Sequence, residues 1–164
     1  MIRSAALLLL LLPLLTACPS GDLVLNEFVA SNATGHTDEG GAYPDWVELH
    51  NPTSSAISLS GYAISDDPTL PERHLLDASM EIPAGGYQVL FADGDTVEGI
   101  THLPFRLSAG GEELLLSHDV GDGYEVIDQL VFGEQATDTA TARVPDGTGE
   151  WTTGVTPTPG ETNG

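Results

Sequence analysis

The residues after position 22 predict an all-β sandwich of two sheets with seven to nine short strands. Three observations carry this. No segment beyond residue 22 keeps a helical period. Short β-branched and aromatic runs recur instead, separated by Gly, Pro, Asn and Asp, the pattern of strands joined by turns. Within several runs apolar and polar side chains alternate, which sets one face against a core and the other in water. So many short strands in one chain of 164 residues point to the immunoglobulin-like architecture. Cys18 is the only cysteine, so the disulfide of antibody domains is absent and the core must hold the fold.

Taken in order, Leu23–Ala30 reads as the first strand and Trp46–Asn51 as the second, with Trp46 a core residue. The Gly-rich, acidic stretch Ser31–Pro44 between them is a loop. Ile57–Ser65 reads as one strand in which Gly61 shifts the alternation from Ile57/Leu59 to Tyr62/Ile64, as a bulge would. His74–Leu76 and Glu81–Ile82 are weaker strands. Pro83-Ala84-Gly85-Gly86 leads into Tyr87–Asp93, with Tyr87, Val89 and Phe91 on one face and Gln88, Leu90 and Ala92 on the other. Arg106–Ser108, Glu112–His118 and Glu125–Phe132 follow. In the last of these Val126, Leu130 and Phe132 share a face interrupted by Asp128. Asp93-Gly94, Asp122-Gly123 and Asp146-Gly147 are turn signals. The Thr/Pro/Gly-rich tail Thr152–Gly164 is expected to run extended over the surface.

Charge narrows the function classes. The chain carries 25 acidic side chains against four Arg and no Lys, a formal net charge of −21. Nucleic acid is thereby excluded as a partner, because neutralising phosphates requires clustered basic residues. Docking on an anionic bilayer through the protein surface is disfavoured for the same reason. With 40% hydrophobic residues, a disordered acidic tail is excluded as well.

Residues 1–17 read as a cleaved leader. Arg3 supplies a positive start, and Ala5–Leu15 is an apolar run about half the length a membrane-spanning helix needs. Leu15-Thr16-Ala17-Cys18 resembles the bacterial lipobox. The resemblance implies a lipid on the Cys18 sulfur and further acylation of its new amino group, enough chains for durable anchoring. Residues 18–22 then form a lipidated start and short linker, and 23–164 the folded domain, held outside the cytoplasm in the bacterial cell envelope.

From Trp46 onward a family pattern emerges. Asp45-Trp46-Val47-Glu48-Leu49-His50-Asn51 resembles the bacterial branch of the lamin tail domain family, as do Ile57-Ser58-Leu59-Ser60-Gly61-Tyr62 and the opening Leu25-Asn26-Glu27-Phe28. Further likenesses are Ile82-Pro83-Ala84-Gly85-Gly86-Tyr87, Phe105-Arg106-Leu107-Ser108, Arg143-Val144-Pro145-Asp146-Gly147 and Pro157-Thr158-Pro159-Gly160. The resemblance implies an immunoglobulin-like sandwich used as an interaction module, with no catalytic residues to carry over. The Ser31–Pro44 stretch departs from the family pattern.

Catalytic and metal motifs of fixed spacing are absent: no G-x-S-x-G, H-E-x-x-H, P-loop or C-x-x-C occurs. The five His are scattered without ligand spacing. What remains as metal candidates is Asp38 and Glu39, Asp93, Asp95 and Glu98, and Asp119 and Asp122. Calcium is the ion such oxygen donors would take, although neither turn matches an EF-hand loop. His36, Tyr43 and Asp45 are the binding candidates of the long loop. No cofactor is required. The leading expectation is a membrane-anchored, non-enzymatic module for an unidentified envelope protein or surface polymer. A calcium-organised adhesion domain is the alternative, and an accessory of an envelope hydrolase a third.

Overall fold

A computed structural model describes residues 23–164. The leader, the lipobox Leu15-Thr16-Ala17-Cys18 and the 18–22 linker lie outside the described residues. The elements are β1 (Val24–Val29), β2 (Asp45–His50), β3 (Ile57–Ser58), β4 (Tyr62–Ser65), β5 (His74–Leu75) and β6 (Glu81–Ile82). They continue with β7 (Tyr87–Ala92), β8 (Glu112–Asp119), β9 (Tyr124–Phe132), β10 (Ala140–Val144) and β11 (Glu150–Val155). A five-stranded sheet runs β11-β10-β1-β2-β7, a four-stranded sheet β5-β4-β8-β9, and β3 pairs with β6. All of these pairings are antiparallel. Together they make the all-β sandwich the alternation predicts.

The core lies between the sheets. Leu25, Phe28, Val47, Leu49 and Leu90 of the larger sheet meet Ile64, Leu114 and Leu116 of the smaller. Phe28 packs on Phe132 at 4.4 Å between ring centres, and edge-on to Trp151 at 6.3 Å. Beside this contact a polar clasp ties β9 to β1 and β10. A register shift between Leu25 and Glu27 breaks the β1 ladder. Asp128 accepts the Leu25 N–H at 2.9 Å, while Arg143 donates to the Leu25 carbonyl at 2.9 Å and to both Asp128 oxygens. The Arg143 guanidinium lies 4.7 Å above the Trp151 ring. Burial raises the Asp128 pKa against the opposing pull of Arg143 and of the Leu25 and Gln129 amides.

Several expectations are corrected. Ile57–Ser65 is not one bulged strand. Gly61 adopts φ 84°, a conformation suited to glycine, and the chain turns there from β3 into β4 of another sheet. Arg106–Ser108 forms only a single bridge, between Arg106 and Asp93. In β9 a register shift opposite Leu116/Ser117 separates Val126 from the buried face, so Val126 is exposed while Ile127 packs on the core. β10 and the start of β11 are strands that the sequence does not predict: Ala140-Thr141-Ala142 is small and polar by turns and carries little β signal. Of the tail, Thr152–Val155 belong to β11, and residues 156–164 run outside any strand, exposed or half-buried except for the buried Asn163.

The largest departure concerns the outer face of the five-stranded sheet. Alternation in Tyr87–Asp93 predicts one face in water, yet Val29, Trp46, Phe91 and Ala140 form a second buried cluster there. Two segments cover that face. From the β1–β2 loop, His36 stacks on Phe91 at 5.7 Å and meets Trp46 edge-on at 6.2 Å. Segment 156–164, after β11, covers the region around Glu27 and Glu48.

Candidate functional site

Two clusters of acidic side chains emerge, one on each side of the question the sequence raises. The first was read only as scattered family motifs. Glu27 on β1 and Glu48 on β2 are direct cross-strand partners on the outer face, and both are fully buried. Like charges directly opposite one another repel, so the surroundings must compensate. Thr158 donates its N–H to Glu27 at 3.0 Å, and Gly160 donates its N–H to Glu48 at 2.7 Å. Asn26, fully buried, donates to Glu48 and to Asp146, both at 3.0 Å, and accepts the Gly147 N–H at 2.9 Å. Asp146 also accepts from Tyr87 Oη at 3.0 Å and from the Asn163 N–H at 3.1 Å.

Among the described residues, no Arg or His pairs with these carboxylates. Burial pushes the pKa of Glu27 and of Glu48 up to about 7 each; hydrogen bonds from Thr158, Asn26 and Gly160 pull downward, and nearby carboxylates add to the rise. The turn that delivers Asp146 depends on a close backbone approach. A Cβ at Gly149 would stand 2.1 Å from the Val144 carbonyl carbon, so only glycine fits.

The second cluster gathers three of the predicted metal candidates. After β7 the chain folds back along the strand edge: Thr101 accepts from the Phe91 N–H at 2.8 Å, and the Leu103 N–H donates to Phe91 at 2.7 Å. This fixes His102 beside Phe91, 1% exposed. Its Nδ1 lies 2.6 Å from Asp93 and 3.8 Å from Glu98, and its Nε2 lies 3.1 Å from Glu39. Burial works against the charged imidazole, but hydrogen bonds and charge from Asp93 and Glu39 outweigh it and raise the His102 pKa. Glu39 is held below the usual carboxylate range by its own backbone N–H and by His102.

Asp93, Glu98 and His102 bring one donor atom each to within 4.8 Å of one another, the group among the described residues that could hold a metal. A mixed nitrogen and carboxylate set suits zinc better than calcium, which prefers oxygen alone. Glu39 on the far ring nitrogen would then orient the imidazole, as outer carboxylates commonly do.

The remaining candidates do not join this group. Asp38 is buried and accepts the Ala42 N–H, closing its own turn. Asp95 and Asp119 cap turns through the Val97 and Gly121 amides, and Asp122 is exposed. Tyr43 is exposed, and Asp45 accepts the Asn32 N–H, its carboxyl raised by burial. His36 packs against aromatic rings as described above. The contact of His102 with Glu39, 63 residues away, leaves no mark in local spacing, whereas Asp93 and Glu98 lie only nine and four residues before the histidine. Asp93, two residues beyond an apolar strand core and next to Gly94, was the available signal.

No curated protein and no solved structure matches the chain. A model of the family described as Lamin Tail Domain matches residues 16–143, from the segment before β1 into β10. That span includes Asn26, Glu27, Glu48 and Tyr87 of the first cluster and all of the second, and it stops short of Asp146 and segment 156–164. With more than half of its residues matched, and with the sandwich that the family resemblance implies, the chain belongs to the lamin tail domain family.

Proposed function

We propose that this protein is a non-enzymatic interaction module, tethered to a membrane of the bacterial cell envelope through lipid on Cys18, that binds an envelope protein or surface polymer by its strand edges and loops. The observation that carries the reading is the β9 edge. β5 has only two residues, and the 99–106 segment bridges to the edge of β7. β9, by contrast, is nine residues long and ends its sheet, with Val131 71% exposed. An exposed strand edge can take up an extended segment of a partner by main-chain hydrogen bonds.

The tether is tested by labelling with a fatty-acid analogue and fractionating the cells. Label and membrane association are expected in the wild-type chain and absent in Cys18→Ser; an unlabelled, soluble wild type refutes the anchor. The edge is tested by capture from envelope extract with the wild type and with Val131→Lys, which places a charge where a partner strand would pack. Loss of a captured partner in the variant supports the edge, and equal capture removes it.

A metal-organised adhesion domain is the second reading, favoured by the meeting of Glu39, Asp93 and Glu98 at His102. A metal present at a hundred times its Kd stabilises the fold by about 2.7 kcal/mol. Thermal unfolding in EDTA, in calcium and in zinc at matched ionic strength decides: a rise with one ion that His102→Gln abolishes supports a site, and identical midpoints dismiss it.

A further inference from the structure

The segment 156–164 reaches into the buried carboxylates of the outer face, and the hydrogens there can be counted. Asn163 Nδ2 donates to the Arg143 carbonyl at 3.0 Å and to the Asn26 carbonyl at 3.4 Å, which fixes its Oδ1 as an acceptor. Thr158 Oγ1 lies 2.7 Å from that Oδ1 and 3.0 Å from Glu27 Oε2. A hydroxyl carries one hydrogen, and the shorter contact takes it. The Thr158–Glu27 contact therefore needs a hydrogen from Glu27, whose Oε2 is the protonated oxygen. The Thr158 N–H remains on Glu27 Oε1 at 3.0 Å. This assignment rests on geometry, and burial, the largest cause of the raised Glu27 pKa, acts in the same direction.

We propose that segment 156–164 is a proton-operated latch, seated on the sheet while Glu27 is protonated and released when Glu27 and Glu48 lose their protons beside Asp146. Every element packed here adds negative charge or none. Glu27 comes from β1, Glu48 from β2, Tyr87 from β7 and Asp146 from the β10–β11 turn. Glu161 of the segment itself is exposed. His50 stacks on Tyr87 and places its Nδ1 3.1 Å from the Gly86 carbonyl oxygen. Arg143 offers only its carbonyl, its guanidinium being turned to Leu25 and Asp128.

Loss of the Glu27 and Glu48 protons thus sets two carboxylates beside Asp146 with no cation pairing them among the described residues, and lifting the segment returns them to water. A cavity of about 260 Å³ is lined by Val144, Val155, Thr156, Thr158, Asn163 and Gly164.

Hydrogen exchange of the full chain, read by mass spectrometry and corrected for the intrinsic pH dependence, tests the latch. Protection of the Thr158, Gly160 and Asn163 amides is expected at pH 5.5 and should fall at least about tenfold by pH 8.5, while β1 and β2 stay protected. In Glu27→Gln, whose amide supplies the missing hydrogen permanently, protection should persist at pH 8.5. Should that variant fail to fold, the Glu27 side-chain carboxyl signal in carbon NMR of the wild type gives the same answer. A midpoint near neutrality with coincident loss of Asn163 protection supports the latch. A midpoint in the ordinary carboxylate range, or protection unchanged from pH 5.5 to 8.5, overturns it.

Discussion

Glu27 and Glu48 lie buried beneath segment 156–164, with backbone and side-chain amides as donors and, among the described residues, no cation, whereas Asp93 and Glu39 share the imidazole of His102. Both arrangements answer one difficulty. A chain with 25 acids and four Arg cannot supply a cation for each carboxylate that folding removes from water. The first region answers by holding protons and spreading many neutral donors. The second answers by setting Asp93 and Glu39 on a buried imidazole whose pKa they raise. Their pH responses should therefore differ in window, and this makes the contrast measurable.

The largest effect is expected at Asn26, which alone joins Glu48, Asp146 and the Gly147 amide. Asn26→Ala removes three hydrogen bonds around buried acceptors and should cost about 3 kcal/mol in urea unfolding. A change below about 1 kcal/mol would mean that neutral donors do not hold the first cluster together.

Next in size is the pH dependence. Glu27 and Glu48 titrate at about 7 in the fold against an ordinary value of 4.5. Between those values the folded chain binds more protons than the unfolded chain, so stability falls as pH rises through the window. The expected loss is on the order of 2 kcal/mol per carboxyl from pH 5 to pH 7.5, and Glu27→Gln with Glu48→Gln should flatten it. Below pH 3.8 the trend reverses, because Asp138, held low by the Ala33 and Thr34 amides and the Thr34 hydroxyl, loses those bonds on protonation. A stability profile that climbs steadily to pH 8 would contradict the buried-proton account.

His102 sharpens the contrast from the other side. Its folded pKa is raised above 6.5, so its contribution is complete below that pH and is lost as pH rises through the folded value. His102→Gln should cost about 1–2 kcal/mol at pH 6 and much less at pH 9. An equal cost at both pH values would show that the ring acts by packing on Phe91 and not by charge. The smallest effect is expected from Val131→Lys on β9, within about 0.5 kcal/mol of wild type. A larger loss would mean that this strand edge is covered, and would weaken its role as a docking edge.

How much of this was legible varies by region. Leu23–Ala30 and Glu112–His118 are legible as short runs with apolar centres, and Trp46 lies in the interior as its strand context implies. β10 did not, because Ala140 and Ala142 draw their burial from neighbours and not from size or pattern. Of the acidic candidates, Glu39, Asp93 and Glu98 were marked for their side chains, yet only the fold brought them to His102. Glu27 and Glu48 were visible merely as family motifs. Their cross-strand pairing depends on the β1–β2 register, which a bulge at Asn26 displaces.

The sequence by itself determined the all-β class, the positions of the glycine turns, the family and the strong negative charge, because each is written in residues near one another or in composition. Which carboxylates hold protons, which share a histidine and what covers the outer sheet face were decided only by tertiary structure. The physical reason is that a carboxyl's affinity for its proton follows from burial and from the donors around it. Here those donors, Thr158 for Glu27 and Gly160 for Glu48, arrive from more than a hundred residues away.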